Sequence, residues 1–125
     1  KYLAEVARQD PITSFAIADQ SGVIGGIGIR LRQDVYRITA ELGYWLGESH
    51  WNRGIATRAV RAVTAWAFDS FPIERVQARI FEQNPASCRV LEKAGYTCEG
   101  RLRRSVLKIN LVMDLIVYAI LRDEP

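Results

Sequence analysis

Twice in this chain an apolar, strand-like run ends in a short polar turn and then opens a helix. The first unit is Glu41 to Val60, ELGYWLGESHWNRGIATRAV, and the second is Glu74 to Ala94, ERVQARIFEQNPASCRVLEKA. Strands alternating with helices give an α/β domain around one mixed sheet. If the two strands are parallel neighbours, both helix starts open at their carboxyl ends, the edge where open α/β sheets bind ligands. A helix start leaves four backbone N–H groups without an intrahelical partner and carries the positive end of the macrodipole. At Arg53-Gly54-Ile55-Ala56-Thr57, the small residues Gly54 and Ala56 let an anion come close to the backbone. At the second start, Asn84 reads as the N-cap and Pro85 as the first helical residue. Either start alone is weak evidence. Together they point to a ligand that carries a phosphate or diphosphate.

The remaining elements fit around these units. Lys1 to Arg8 reads as the last turns of a helix, broken at Asp10-Pro11. Phe15 to Ala18 and Val23 to Leu31 read as a hairpin turning at Gln20-Ser21-Gly22. Gly22, Gly25, Gly26 and Gly28 do not have the spacing of a dinucleotide fingerprint, and no helix follows them, so they read as bulge or close-packing glycines. Ala40 to Leu46 is a strand. Ile55, Ala59, Ala62, Val63, Trp66 and Ala67 then recur at helical spacing up to a stop at Pro72. Glu74 to Glu82 alternates as a half-covered strand, and the second helix ends at Gly95. Thr97 to Arg104 and Leu111 to Leu121 read as two final antiparallel strands.

A chain of 125 residues makes one domain with a real core. The Lys1 to Glu5 segment has no apolar h-region, and the apolar run Leu111 to Leu121 is interrupted by Asp114. Such a run falls short of the roughly 20 residues that span a bilayer. A soluble, cytoplasmic protein with no membrane partner is expected. The net charge of +3 comes from 17 basic and 14 acidic residues, spread along the chain apart from Arg101, Arg103 and Arg104. Without a basic stripe and reading elements, nucleic acid is not an expected partner. A basic rim around a phosphate-bearing cofactor accounts for the same charge. Cys88 and Cys98 give neither a disulfide framework nor a metal spacing, and the single histidine, His50, excludes a multi-histidine zinc site. No metal is expected, and His50 reads as a solvated loop residue.

Read in order, Glu41-Leu42-Gly43-Tyr44-Trp45-Leu46, Trp51-Asn52-Arg53-Gly54-Ile55-Ala56-Thr57, Asn84-x-x-Ser87, Val90-Leu91-Glu92-Lys93-x-Gly95-Tyr96 and Glu99-Gly100-x-Leu102-Arg103 resemble one family. This is the GNAT superfamily of acyl-CoA-dependent N-acetyltransferases, and within it the RimJ/RimL-like branch of ribosomal-protein N-terminal acetyltransferases. The match covers about residues 15 to 121 and keeps order and spacing. It implies a mixed, mostly antiparallel sheet with helices on both faces. It also implies transfer of acetyl from acetyl-CoA to a primary amine, most simply a protein or peptide N-terminus. The other readings are a non-catalytic CoA-binding module and an acetyltransferase for a small-molecule amine.

The resemblance also implies roles. Asn52, Arg53, Gly54, Ile55, Ala56 and Thr57 would hold the CoA diphosphate through backbone N–H groups. Trp51 stands where the family has Gln or Arg, which removes one side-chain contact. Leu46 would pair its backbone with the pantetheine, its N–H polarising the thioester carbonyl. Asn84 would bond the pantetheine arm, and Lys93 joins the cofactor-binding set. Many relatives place a tyrosine acid seven residues after the asparagine, where this chain has Leu91. That assigns the acid to Ser87, with Tyr118 as a remote alternative. Glu41 is the candidate general base, and an equal claim is a structural salt bridge on the sheet face. The family domain begins with a strand and helices that this chain is expected to lack, only the tail of the second helix being present in Lys1 to Arg8. An exposed sheet edge there would favour a homodimer.

Overall fold

The computed structural model describes residues 2–5 and 13–124. Among the described residues seven strands form one sheet: β1 (Tyr2–Glu5), β2 (Ser14–Asp19), β3 (Gly22–Leu31), β4 (Thr39–Leu46), β5 (Arg75–Phe81), β6 (Thr97–Lys108) and β7 (Leu111–Leu121). Helix α1 (Ile55–Ser70) follows β4, and α2 (Pro85–Lys93) follows β5. The spatial order is β1-β2-β3-β4-β5-β7-β6, and only β4 and β5 run parallel. The expected mixed, mostly antiparallel sheet is therefore present.

Strand alternation sorts the sheet into two faces. Register sets Ile27 opposite Tyr44, Ile29 opposite Leu42, Val76 opposite Ile120 and Ala78 opposite Tyr118. This face meets the apolar stripe of α1, where Val60, Val63 and Ala67 are fully buried, and Leu91 of α2. Burying a valine side chain contributes about 1.5–3 kcal/mol. The middle of α1 also bonds the end of α2 and the turn beyond it: Arg61 Nη2 donates to Lys93 O at 2.6 Å, and Thr64 Oγ1 bonds Tyr96 OH at 2.7 Å. Helices on both faces were expected. Among the described residues both helices lie on one face, and the other carries Glu41, Gly43, Trp45, Gln77 and Arg79. There the exposed Trp45 indole lies on Gly26, where a Cβ would come within 2.6 Å of Trp45 Nε1 and would push the indole aside.

Two segments depart from the sequence reading. Tyr2–Glu5 is not helical but pairs with Phe15 to Ala18 as an edge strand, because the open edge of β2 offers backbone partners that outweigh a weak local helix preference. The rest of the expected helix lies outside the described residues. The sixth strand runs on to Lys108, four residues beyond its expected end at Arg104.

The parallel pair decides where the molecule opens. Its register covers only Thr39 with Arg75, Ala40 with Val76 and Glu41 with Gln77. Beyond Glu41 the strands separate. Strand β4 stays with β3 as far as Leu46 opposite Gly25, and β5 stays with β7 as far as Phe81 opposite Leu115. The sheet splits into a V whose mouth lies at the carboxyl ends of both strands.

Candidate active site

The V leads into a cleft of about 940 Å³ between the end of β4 and the starts of α1 and α2. One wall is the free backbone edge of β4. Gly47 N donates to Ile24 O at 2.8 Å, which makes that pair hydrogen-bonded across β3 and β4. Antiparallel pairs alternate, so the N–H and C=O groups of Leu46 and Tyr44 point away from β3, into the V. The Leu46 carbonyl is taken there by Trp51 Nε1 at 2.7 Å. Its N–H remains available.

The second wall is the start of α1. Gly54 is the N-cap in the left-handed region, at φ 76°, with no side-chain cap. The first bond into the helix is Arg58 N to Gly54 O at 3.1 Å, so the N–H groups of Ile55, Ala56 and Thr57 face the cleft unpaired. Arg58, Arg61, Arg89 and Lys93 line the same cleft. Unpaired donors with this cation set fit a diphosphate group.

The third wall is the start of α2. Asn84 caps it, its Oδ1 accepting from Ser87 N at 3.2 Å, and the residue lines the cleft with no partner for its amide Nδ2 among the described residues. Ser87 Oγ bonds Tyr44 OH at 2.5 Å across the V, and Tyr44 OH also donates to Ser87 O at 3.2 Å. Burial pushes the Tyr44 phenol above its ordinary value, partly offset by the Ser87 bond. The side chains of Ser87 and Tyr44 thus form one hydroxyl pair beside the Leu46 edge.

Of the residues expected at the site, Leu46, Asn52, Gly54, Ile55, Ala56, Thr57, Asn84, Ser87 and Lys93 line the cleft. Arg53 and Glu41 do not. Glu41 lies on the opposite sheet face at the floor of the V, in a polar network. Its Oε1 accepts from Gln77 Nε2 at 2.9 Å and lies 3.9 Å from Arg32 Nη1, while Oε2 accepts from Arg79 Nε at 3.0 Å. Leu91 is fully buried in the core. Tyr118 donates to Glu92 Oε2 at 2.6 Å, and burial raises its phenol. His50 is not a solvated loop residue: it lines the cleft, part-buried, with Nδ1 4.0 Å from Asp19 Oδ2. Sequence reasoning missed Tyr44 as a site residue and missed the Trp51 bond to Leu46. Alternation along β4 was the available signal, since Tyr44 shares a face with Leu42 and Leu46.

A sheet split at its parallel pair, with an uncapped helix start and a hydroxyl pair at the opening, defines a class of α/β fold whose split presents donors suited to an anionic ligand. This chain belongs to the GNAT acetyltransferases, matching the acetyltransferase (GNAT) domain family over residues 1–97. It is 45% identical over 87 residues to the probable N-acetyltransferase YjcK of Bacillus subtilis, covering 69% of this chain and 48% of that protein. It is 31% identical over 109 residues to the ribosomal-protein-serine acetyltransferase of Escherichia coli, covering 87% of this chain and 60% of that one, as the resemblance to the ribosomal-protein branch implies. The ribosomal-protein-S5-alanine acetyltransferase of Vibrio fischeri shares the fold, with TM-score 0.81 and 23% identity over 88% of this chain and 61% of its own. The chain spans 48–62% of the length of the first three curated relatives it matches.

Proposed function

We propose that this chain carries the donor half of an N-acetyltransferase that moves acetyl from acetyl-CoA to a primary amine, most simply a protein N-terminal α-amine, by direct attack. The observation that carries the reading is the hydroxyl pair Ser87–Tyr44, set across the V from α1's unpaired N–H groups and beside the free N–H of Leu46. The α1 donors, with Arg58 and Lys93, would hold the CoA diphosphate. The Leu46 N–H and the Asn84 amide would bind the pantetheine. Acetyl-CoA supplies an activated acyl group on a thiol leaving group. The Leu46 N–H then faces the carbonyl oxygen that gains charge. Ser87 Oγ delivers a proton to the departing sulfur and regains one from Tyr44 OH, which turns from Ser87 O to Oγ and is itself reprotonated by water in the open cleft. The amine must shed a proton; Glu41 does not reach the cleft itself, so it would take that proton only through a water chain from its place in the Gln77–Arg79 network on the far sheet face, a contribution of about 10²–10⁴-fold in rate.

The test is calorimetry with CoA, followed by CoA release with a panel of N-terminal peptides, polyamines and amino sugars. Micromolar binding that is lost in Gly54→Glu, with release on peptides, is the expected result. No binding at millimolar CoA would overturn the reading, and binding without release would leave a non-catalytic module. Release on amino sugars or polyamines alone would move the acceptor to small molecules.

A further inference from the structure

The β6–β7 hairpin holds a second concavity, of about 790 Å³, lined by Arg101, Leu102, Arg103, Arg104 and Asp114. It exists because the register slips. Leu102 faces Leu115 and Val106 faces Met113, so Arg103, Arg104 and Ser105 bulge opposite Asp114 alone. Asp114 holds the bulge open: Oδ1 accepts from Arg104 N at 2.8 Å, and Oδ2 accepts from Arg101 Nε at 3.0 Å. Glu82 braces the other side, its Oε1 accepting from Asp114 N at 2.6 Å and its Oε2 lying 3.5 Å from Arg101 Nη2. Both local acids are thereby committed to Arg101 and to backbone. The exposed guanidiniums of Arg103 and Arg104 have no acidic partner among the described residues, and Leu102 gives the hollow an apolar surface.

The hollow lies at the same end of the sheet as the cleft: Phe81, the last residue of β5, faces Leu115, which faces Leu102, and Glu82, the brace, stands two residues before Asn84 of the cleft wall. Resting on the donor-half reading above, we infer that the hollow is an acceptor subsite for carboxylate side chains, and that the acceptor is a peptide with acidic residues directly after its N-terminal amine. Two guanidinium forks and an apolar stem contact suit an aspartate or glutamate side chain. The same charges repel a polyamine.

The experiment uses C-terminally labelled peptides that begin with serine followed by two acidic, two amide or two lysine residues. Binding is read by fluorescence anisotropy with and without CoA, and kcat and KM are read alongside. The acidic peptide should bind about tenfold tighter than the amide peptide at low salt, and the gap should shrink as salt rises. In Arg103→Gln/Arg104→Gln the two peptides should bind alike. In Arg103→Glu/Arg104→Glu the lysine peptide should be preferred. Thermal melts beside the unmodified protein show that these variants are folded, and their CoA affinity should be unchanged. Equal binding by the unmodified protein, or a preference that survives in the double variants, would overturn the inference. Loss of CoA affinity in folded variants would assign the hollow to the cofactor's phosphates instead, which also overturns it. Because peptide binding is read directly, it remains decisive if no acetyl is transferred, and failure to bind CoA strikes the donor reading separately.

Discussion

An aliphatic hydroxyl is a poor acid for a thiolate, and the Tyr44 phenol behind Ser87 is what makes the proposed role workable. The pair lets one proton leave Ser87 Oγ as another arrives from Tyr44 OH, so no alkoxide is left in a part-buried cleft. Ser87→Ala and Tyr44→Phe should each lower kcat by about 10–100-fold, and by more than they weaken CoA binding. Residues that act as a unit are not additive, so the double variant should be little worse than the poorer single one. Steady-state kinetics with a calorimetric CoA titration checks both points. Additive losses would separate the two hydroxyls into independent roles. The pH profile follows from the sign of the Tyr44 shift. Burial disfavours the charged phenolate, so the acid form persists beyond the ordinary value of 10.0. The alkaline fall in kcat due to Tyr44 should therefore lie above pH 10. A fall below that value which disappears in Tyr44→Phe would contradict it.

The two helices begin differently, and their starts do different work. The α2 start is satisfied by the Asn84 cap, whereas that of α1 has no side-chain cap and opens onto the cleft. Gly54 serves this twice, through its left-handed φ and by keeping the approach open. Gly54→Ala should cost about 1 kcal/mol of stability from backbone strain, while CoA binding survives in part. Gly54→Glu adds a carboxylate where an anion must sit, so it should lose CoA binding beyond that strain. Chemical denaturation of both variants beside CoA titration separates the two effects. Helix α2 also shows why the family's tyrosine cannot simply be restored. Leu91 is fully buried beneath the helix, so Leu91→Tyr should overpack the core at a cost of about 1–3 kcal/mol. It should not rescue Ser87→Ala. Rescue with unchanged stability would mean that position 91 reaches the cleft.

At the scale of the whole molecule, what was legible in the sequence was what local chemistry punctuates. Asn84-Pro85 and Gly95 bound α2, and Gly54 opens α1. Two strands that each lead into a helix were legible, and their parallel pairing, left as a condition by the sequence, is what the register shows. The unread parts depend on partners distant in the chain. Tyr44 meets Ser87 across a separation of 43 residues, the bulge at Arg103 to Ser105 is set by Asp114, and Tyr2–Glu5 is a strand only because β2 offers an edge. The same dependence makes the V the weak seam of the fold, since β4 and β5 share only three registered residue pairs. A ligand held by Leu46 and α1 on one side and by Asn84 on the other would bridge that seam. Binding to the native state alone stabilises it by about 2.7 kcal/mol at 100 times the Kd. For a domain of this size that should raise Tm by roughly 5–15 °C. Acetyl-CoA and CoA should both produce the shift in a thermal scan. NAD, which lacks the pantetheine arm, should not, and Gly54→Glu should abolish it. Amide exchange at Tyr44 and Leu46 should slow in the same titration, because their N–H groups face the V and are free until the ligand pairs with that edge. A thermal shift that persists in Gly54→Glu without protection of that edge would place the ligand somewhere other than the V.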